Sequence, residues 1–261
     1  MKQKLGLLVF AGAIAAASAG YAADPSASKD PPATGAPDWT GGYVGVYVGG
    51  SDTTTNLQEI NGPGELAFLP GERTRTDIDH SAVVYGGFAG YNYQFPNGQV
   101  VAGAELEIGG NSGSATGVTN SGVIPNAPPI EDNIPTYNKL ALPWTFRARA
   151  RLGYALGDVL PFVAAGVTVT QAQLDLTFPC PNFPSPGTTV YTANTSKTLT
   201  GFNVGAGVDW AITRNLVSRV EYIFDDYGTP SFAENGSQGW NNRRLSALQS
   251  NTLRVAIGYK F

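Results

Sequence analysis

The stretch "WTFRARARLGY", residues 144–154, repeats with a period of two. Trp144, Phe146, Ala148, Ala150, Leu152 and Tyr154 alternate with Thr145, Arg147, Arg149, Arg151 and Gly153. Successive side chains of a β-strand point to opposite faces, so as a strand this stretch has one apolar face and one cationic face. Its length also matches the roughly 9–11 residues that a tilted strand needs to cross a bilayer.

Seven further segments show the same period. They are Trp39 to Gly50, Ser81 to Phe95, Gln99 to Gly109, Leu160 to Gln171, Gly201 to Ala211, Leu216 to Asp225 and Thr252 to Phe261. Val44, Val46 and Val48 alternate with Tyr43, Gly45, Tyr47 and Gly49; Phe202, Val204, Ala206, Val208 and Trp210 alternate with Asn203, Gly205, Gly207 and Asp209. Over 160–171 both alternate sets are apolar or small, and the pattern leaves the facing open. Asn97-Gly98 is a hairpin signal, and "ALGD" and "ITRN" mark two more tight turns. With 33 Gly, 12 Tyr, 12 Phe and only 14% charged residues, composition favours one all-β unit. The net charge of -4 carries no basic footprint for nucleic acid.

Connection lengths alternate as well. A few residues join segments two and three, four and five, six and seven, whereas the connections near 51–80, 110–143, 172–200 and 226–251 are long. Short turns at one end and long loops at the other are the pattern of an eight-stranded antiparallel up-and-down transmembrane β-barrel, with periplasmic turns and extracellular loops. A water-soluble barrel would turn its apolar face inward. In a membrane the apolar face must meet lipid, and only a closed sheet satisfies every backbone amide there. Aromatic residues at segment ends favour the membrane reading: Trp39, Phe95, Trp144, Tyr154, Trp210, Tyr259 and Phe261 fall where interfacial girdles sit.

The inward set is then charged. Glu105, Glu107, Asp209, Glu221 and Asp225 face Arg147, Arg149, Arg151, Arg219, Arg254 and Lys260, five acids against six bases. Near balance in a lumen just wide enough for side chains predicts a compensated ion-pair plug rather than a channel.

The N-terminus "MKQKLGLLVFAGAIAAASAGYAADPS" has basic, apolar and small-residue regions in that order, which predicts a secretory signal peptide over 1–22. A Pro-rich leader over 23–38 precedes the barrel, 39–261. Cys180 stands alone in "FPCPNFPSPG" and reads as a solvated loop thiol. The single histidine, His80, lies beside Asp77 and Asp79 in "RTRTDIDH". That trio could contact a metal or act as a base, but no Ser or Thr partner accompanies it, and it reads as a solvated loop cluster. Glu105 and Glu107 are paired carboxylates explained by the inward arginines. We therefore expect no catalytic residues, no metal and no cofactor. Gly alternating with aromatic residues, as in "YVGVYVGG", lacks the following helix of a phosphate loop and reads as room for rings in a curved sheet.

Five stretches in order, "DWTGGYVGVYVGG", "GGFAGYNYQFPNGQVVAGAELEI", "FRARARLGYALGDVLPFVAAGV", "GFNVGAGVDWAITRNLVSRVEYIFDDYG" and "LRVAIGYKF", resemble the small outer-membrane surface antigens of alphaproteobacteria. That resemblance implies an OmpA-like eight-stranded barrel in the cell outer membrane. It also implies a structural role among lipid and lipopolysaccharide, and loops that act as epitopes. It further implies that the barrel-insertion machinery reads the last strand, where Leu253, Val255, Ile257, Tyr259 and Phe261 match. Asp209 departs from the family pattern, where Glu is expected; the charge is kept and the reach is shorter. A small porin-like channel and a loop-based adhesin or ligand receptor are the competing readings, and the loops carry no motif that names a ligand.

Overall fold

The period of two is carried into eleven strands: β1 (Gly41–Ile60), β2 (Arg75–Gln94), β3 (Val100–Asn111), β4 (Ser114–Asn120), β5 (Pro135–Ala141), β6 (Trp144–Tyr154), β7 (Val159–Pro181), β8 (Thr188–Ala211), β9 (Leu216–Asp226), β10 (Ser231–Phe232) and β11 (Asn242–Lys260). The computed structural model describes residues 37–60, 75–96, 98–120, 135–181, 188–232 and 242–261. All of them belong to the unit Ala36–Phe261. The predicted signal peptide, the leader up to residue 36 and Asn97 lie outside the described residues.

β4 prolongs β3, β5 runs into β6, and β10 is a two-residue side strand, so the wall has eight staves. Every ladder is antiparallel. The ring closes where β1 pairs β11, from Tyr43↔Lys260 upward, and where β7 pairs β8. Tight turns link the staves at one end. Leu156 bridges Val159, with Gly157 at φ 65°, a left-handed conformation that a side chain would strain. Among the described residues no helix is long and apolar enough to cross a membrane, so crossing falls to the strands.

In the half that holds these turns, apolar side chains face outward. Val44, Val46, Val48, Leu106, Ile108, Leu152, Val204, Trp210, Leu253, Val255 and Ile257 are exposed on the outer wall. Residues 160–171, open from the sequence, are settled by register. Leu160, Phe162, Ala164, Thr168 and Thr170 point inward and Val163 and Val167 outward. Arg149 stands opposite Gly166 and Arg151 opposite Ala164. Small inner residues on β7 leave the volume that the neighbouring guanidiniums fill.

The strands do not stop where the sequence reading stopped them. β1 has 20 residues, β7 23, β8 24 and β11 19, about twice what a bilayer requires. Four connections predicted as loops thus contain strand, a correction that includes the backbone of Cys180, paired with Thr189. In this second half the facing is inverted. Leu57, Ile78, Leu140, Leu174, Leu176, Leu199, Leu245 and Leu248 are buried inside as one cluster with Phe232 and Tyr227. Asp52, Thr54, Asp77, Asp79, Lys139 and Lys197 face outward.

The upper wall also splits. The β2–β3 ladder ends at Val84↔Asn111 and the β8–β9 ladder at Phe202↔Asp226. Above those pairs, β4–β5–β7–β8 and β2–β1–β11–β10 form two sheets facing each other across the leucine cluster. One barrel below becomes a sandwich above. A bulge adjusts the phase: Thr54 pairs Gln249 and Asn56 pairs Ser246, so Thr55 opposes both Ala247 and Leu248, and Ala247 takes φ 52°. The extra residue brings both Leu245 and Leu248 inward although they are three apart.

Candidate functional site

The inner wall of the lower half is built from cross-strand neighbours. Glu105 lies opposite Arg149 and Glu107 opposite Arg147 on β3–β6; Asp209 lies opposite Arg219 on β8–β9, and Glu221 opposite Arg254 on β9–β11. Because directly opposed side chains share a face at close range, these four acids each meet a base without any loop placing it.

Long guanidiniums then cross the lumen and join these pairs into one network. Arg149 bonds Glu221 at 2.6 Å and also reaches Glu105 and, at 3.2 Å, Glu107. Arg219 bonds Glu105 and Asp209, each at 2.7 Å. Arg254 bonds Glu107 and Glu221, each at 2.7 Å. Arg147 holds Glu107 and both oxygens of Asp225, and Arg151 holds Asp209 at 2.8 Å. Five arginines thus face five carboxylates, and all ten residues are buried. Burying an isolated ion costs several kcal/mol, which only this mutual pairing offsets.

Aromatic rings complete the layer. The Tyr43 hydroxyl accepts from Arg151 at 2.8 Å and donates to Glu105 at 3.0 Å. The Arg151 guanidinium lies 3.9 Å over Phe162, and Arg254 lies 4.3 Å over Tyr47. Glycines make the room: a Cβ at Gly109 would collide with the Tyr47 hydroxyl, and one at Gly90 with that of Tyr43. The rings were placed on the right face by the alternation, but their bonding to the ions was not legible without the register.

Lys260 does not join the network, which corrects the sequence expectation. It sits at the rim and donates to the Asp38 carbonyl oxygen. Beside it the Thr40 amide, bonded to Asp38 at 2.8 Å, holds that exposed carboxyl below its ordinary range. Six expected bases become five because the last residues of β11 lie below the charged layer.

Trp39 is a second correction. It is 3% exposed, packed with Val101, Ala155 and Leu160 inside the turn end of the barrel, and its indole N–H donates to the Gly157 carbonyl. Trp39 therefore plugs the mouth instead of joining the girdle. Phe95, Tyr154, Trp210, Tyr259 and Phe261 do lie exposed on the outer wall, and Tyr259 meets Phe261 edge-on at 5.4 Å.

His80, Asp77 and Asp79 do not form a loop cluster. They lie in β2, where Asp77 and Asp79 face out and His80 faces in with its Nε2 buried. Asp77 accepts from Asn56 at 2.6 Å. Alternation separates the would-be base from its would-be partners, and among the described residues no group of acids, His and Cys could hold a metal.

The family model for the outer membrane protein beta-barrel domain matches residues 5–261. The chain belongs to this family. The 31 kDa outer-membrane immunogenic protein of Brucella melitensis is 30% identical over 94% of this chain and 95% of its own. The 25 kDa outer-membrane immunogenic protein of Brucella abortus is 27% identical over 85% and 79%, and the 22 kDa outer membrane protein of Rhizobium leguminosarum is 27% identical over the same shares. As a member of the outer-membrane barrel family, this chain sits in the outer membrane and meets its lipid and lipopolysaccharide. Its apolar outer belt is the lipid-facing surface, and the longer strands above it stand on the outer side, where such barrels carry their long connections.

Proposed function

We propose that this protein is a structural barrel and surface antigen of the outer membrane, contributing to envelope integrity without catalysis. The observation that carries the reading is the filled lumen: a layer of five paired arginines and five carboxylates, with a leucine-lined layer stacked above it. Ions crossing such an interior would have to break paired charges and then traverse an apolar layer, which argues against the small-channel alternative. The immunogenic relatives support the antigen role, and the polar outer faces of the upper strands offer water-exposed epitope surface. The separation of His80 from Asp77 and Asp79 supports the non-enzymatic reading.

Residues 1–22 act in this proposal as a cleaved signal peptide and 23–38 as a leader. Tyr259 and Phe261, exposed on the outer face of the closing strand, act as the insertion signal read by the barrel-insertion machinery. The test is twofold. Reconstituted protein in planar bilayers is expected to conduct no steady current, and regular unitary openings would sink the plugged-barrel reading. Removal of Phe261 is expected to reduce the heat-modifiable folded band in membrane extracts; an undiminished band removes the insertion role.

A further inference from the structure

Between the ionic layer and the leucine cluster lies a chamber lined by Tyr47, Ser51, Asn111, Arg147, Tyr227 and Thr252, among others. It offers a water centre about 20 Å³, against the roughly 10–15 Å³ that one water needs. Two of its lining groups are stranded. The Ser51 hydroxyl and the Asn111 side-chain oxygen are both buried with no hydrogen-bond partner among the described groups. At the same level, along the row Asn203↔Asp225, Asp225↔Ser250 and Ser250↔Thr53, both amide atoms of Asn203 are also buried and unpartnered.

A buried polar group left without a partner is costly, and something that bonds it relieves that cost. We propose that this chamber is a binding site for ordered water, held between Ser51 and Asn111. The ligand is water rather than an ion because the unspent hydrogen-bonding groups are neutral. Arg147, the one charge in the lining, already bonds Glu107 and Asp225. A bare ion would exchange its hydration shell for a hydroxyl and an amide. A water needs two to four polar partners, and the chamber supplies them. The site thus makes the passage from the ionic layer to the leucine cluster a graded one, with hydroxyls and amides at the boundary.

A double-mutant cycle tests this, because Ser51 and Asn111 do not bond each other and any coupling between them reports the bridging molecule. Ser51→Ala and Asn111→Leu are each expected to speed unfolding by about tenfold, and the double variant no more than the worse single. Multiplicative effects in the double variant overturn the proposal. Unmodified protein in nanodiscs, which avoids any loss of folding, is expected to give nuclear Overhauser cross-peaks from long-lived water to the amides of both residues. Their absence overturns it, as does a saturable shift of those amides on titration with sodium chloride, which would place an ion there.

Discussion

The lower and upper halves of the same eight staves solve opposite problems. Below, Leu253, Val255 and Ile257 face out while Arg254 is buried; above, Leu245 and Leu248 are buried while Gln249 and Asn251 are only partly so. Lipid outside the lower half takes up the apolar face, which leaves the interior free to be polar provided every charge is paired. Water outside the upper half forces the leucines inward, as in a soluble sandwich. The difference teaches that side-chain facing follows the solvent at each height and not the strand.

Removing one guanidinium from the lower half is expected to be most damaging. Arg254→Met takes one partner from both Glu107 and Glu221, leaves the buried layer one positive charge short, and lowers folding stability by about 3–5 kcal/mol, read as a reduced urea midpoint of the heat-modifiable band. Leu174→Ala in the upper half costs about 2–5 kcal/mol by opening a cavity. Its damage is expected to stay local, with faster protease cleavage of upper strands while the lower barrel keeps its gel shift; loss of the shift would show that the halves unfold together. Val255→Arg on the lipid face is expected to cost about 2–4 kcal/mol, while Gln249→Arg, six residues earlier on the same strand, costs nothing measurable. Equal effects at the two sites would erase the boundary between the halves. Ala247→Gly relieves a left-handed alanine and is expected to add about 0.5–1 kcal/mol.

The smallest effect concerns pH. Burial lowers the His80 pKa below its ordinary 6.5, against an opposing pull from Asp52. The unfolded chain therefore takes up the proton first on acidification. Upper-half stability is complete above the unfolded value and declines as the pH falls through it. The protection of β4 amides, corrected for the pH dependence of intrinsic exchange, is expected to fall as the pH drops from about 7.5 to about 5, and His80→Gln to flatten that trend.

The lower half was legible because its period is unbroken and its outward residues are large. Leucines of the upper half were hidden among Thr, Asn and Gln, and in β11 the bulge at Ala247 shifts the phase by one residue, so strict alternation fails there. Trp39 and Lys260 misled for another reason. Alternation assigns a face but not a height, and both residues lie below the ionic layer.

The sequence by itself determined the barrel, its strand number, its lipid face and the charged character of its interior, because those follow from a local period and the solvent it implies. Tertiary structure alone decided which acid meets which base, which way residues 160–171 face, and that the staves continue as a two-sheet sandwich. Those outcomes depend on cross-strand register and on where ladders end, and both are set by residues far apart in the chain.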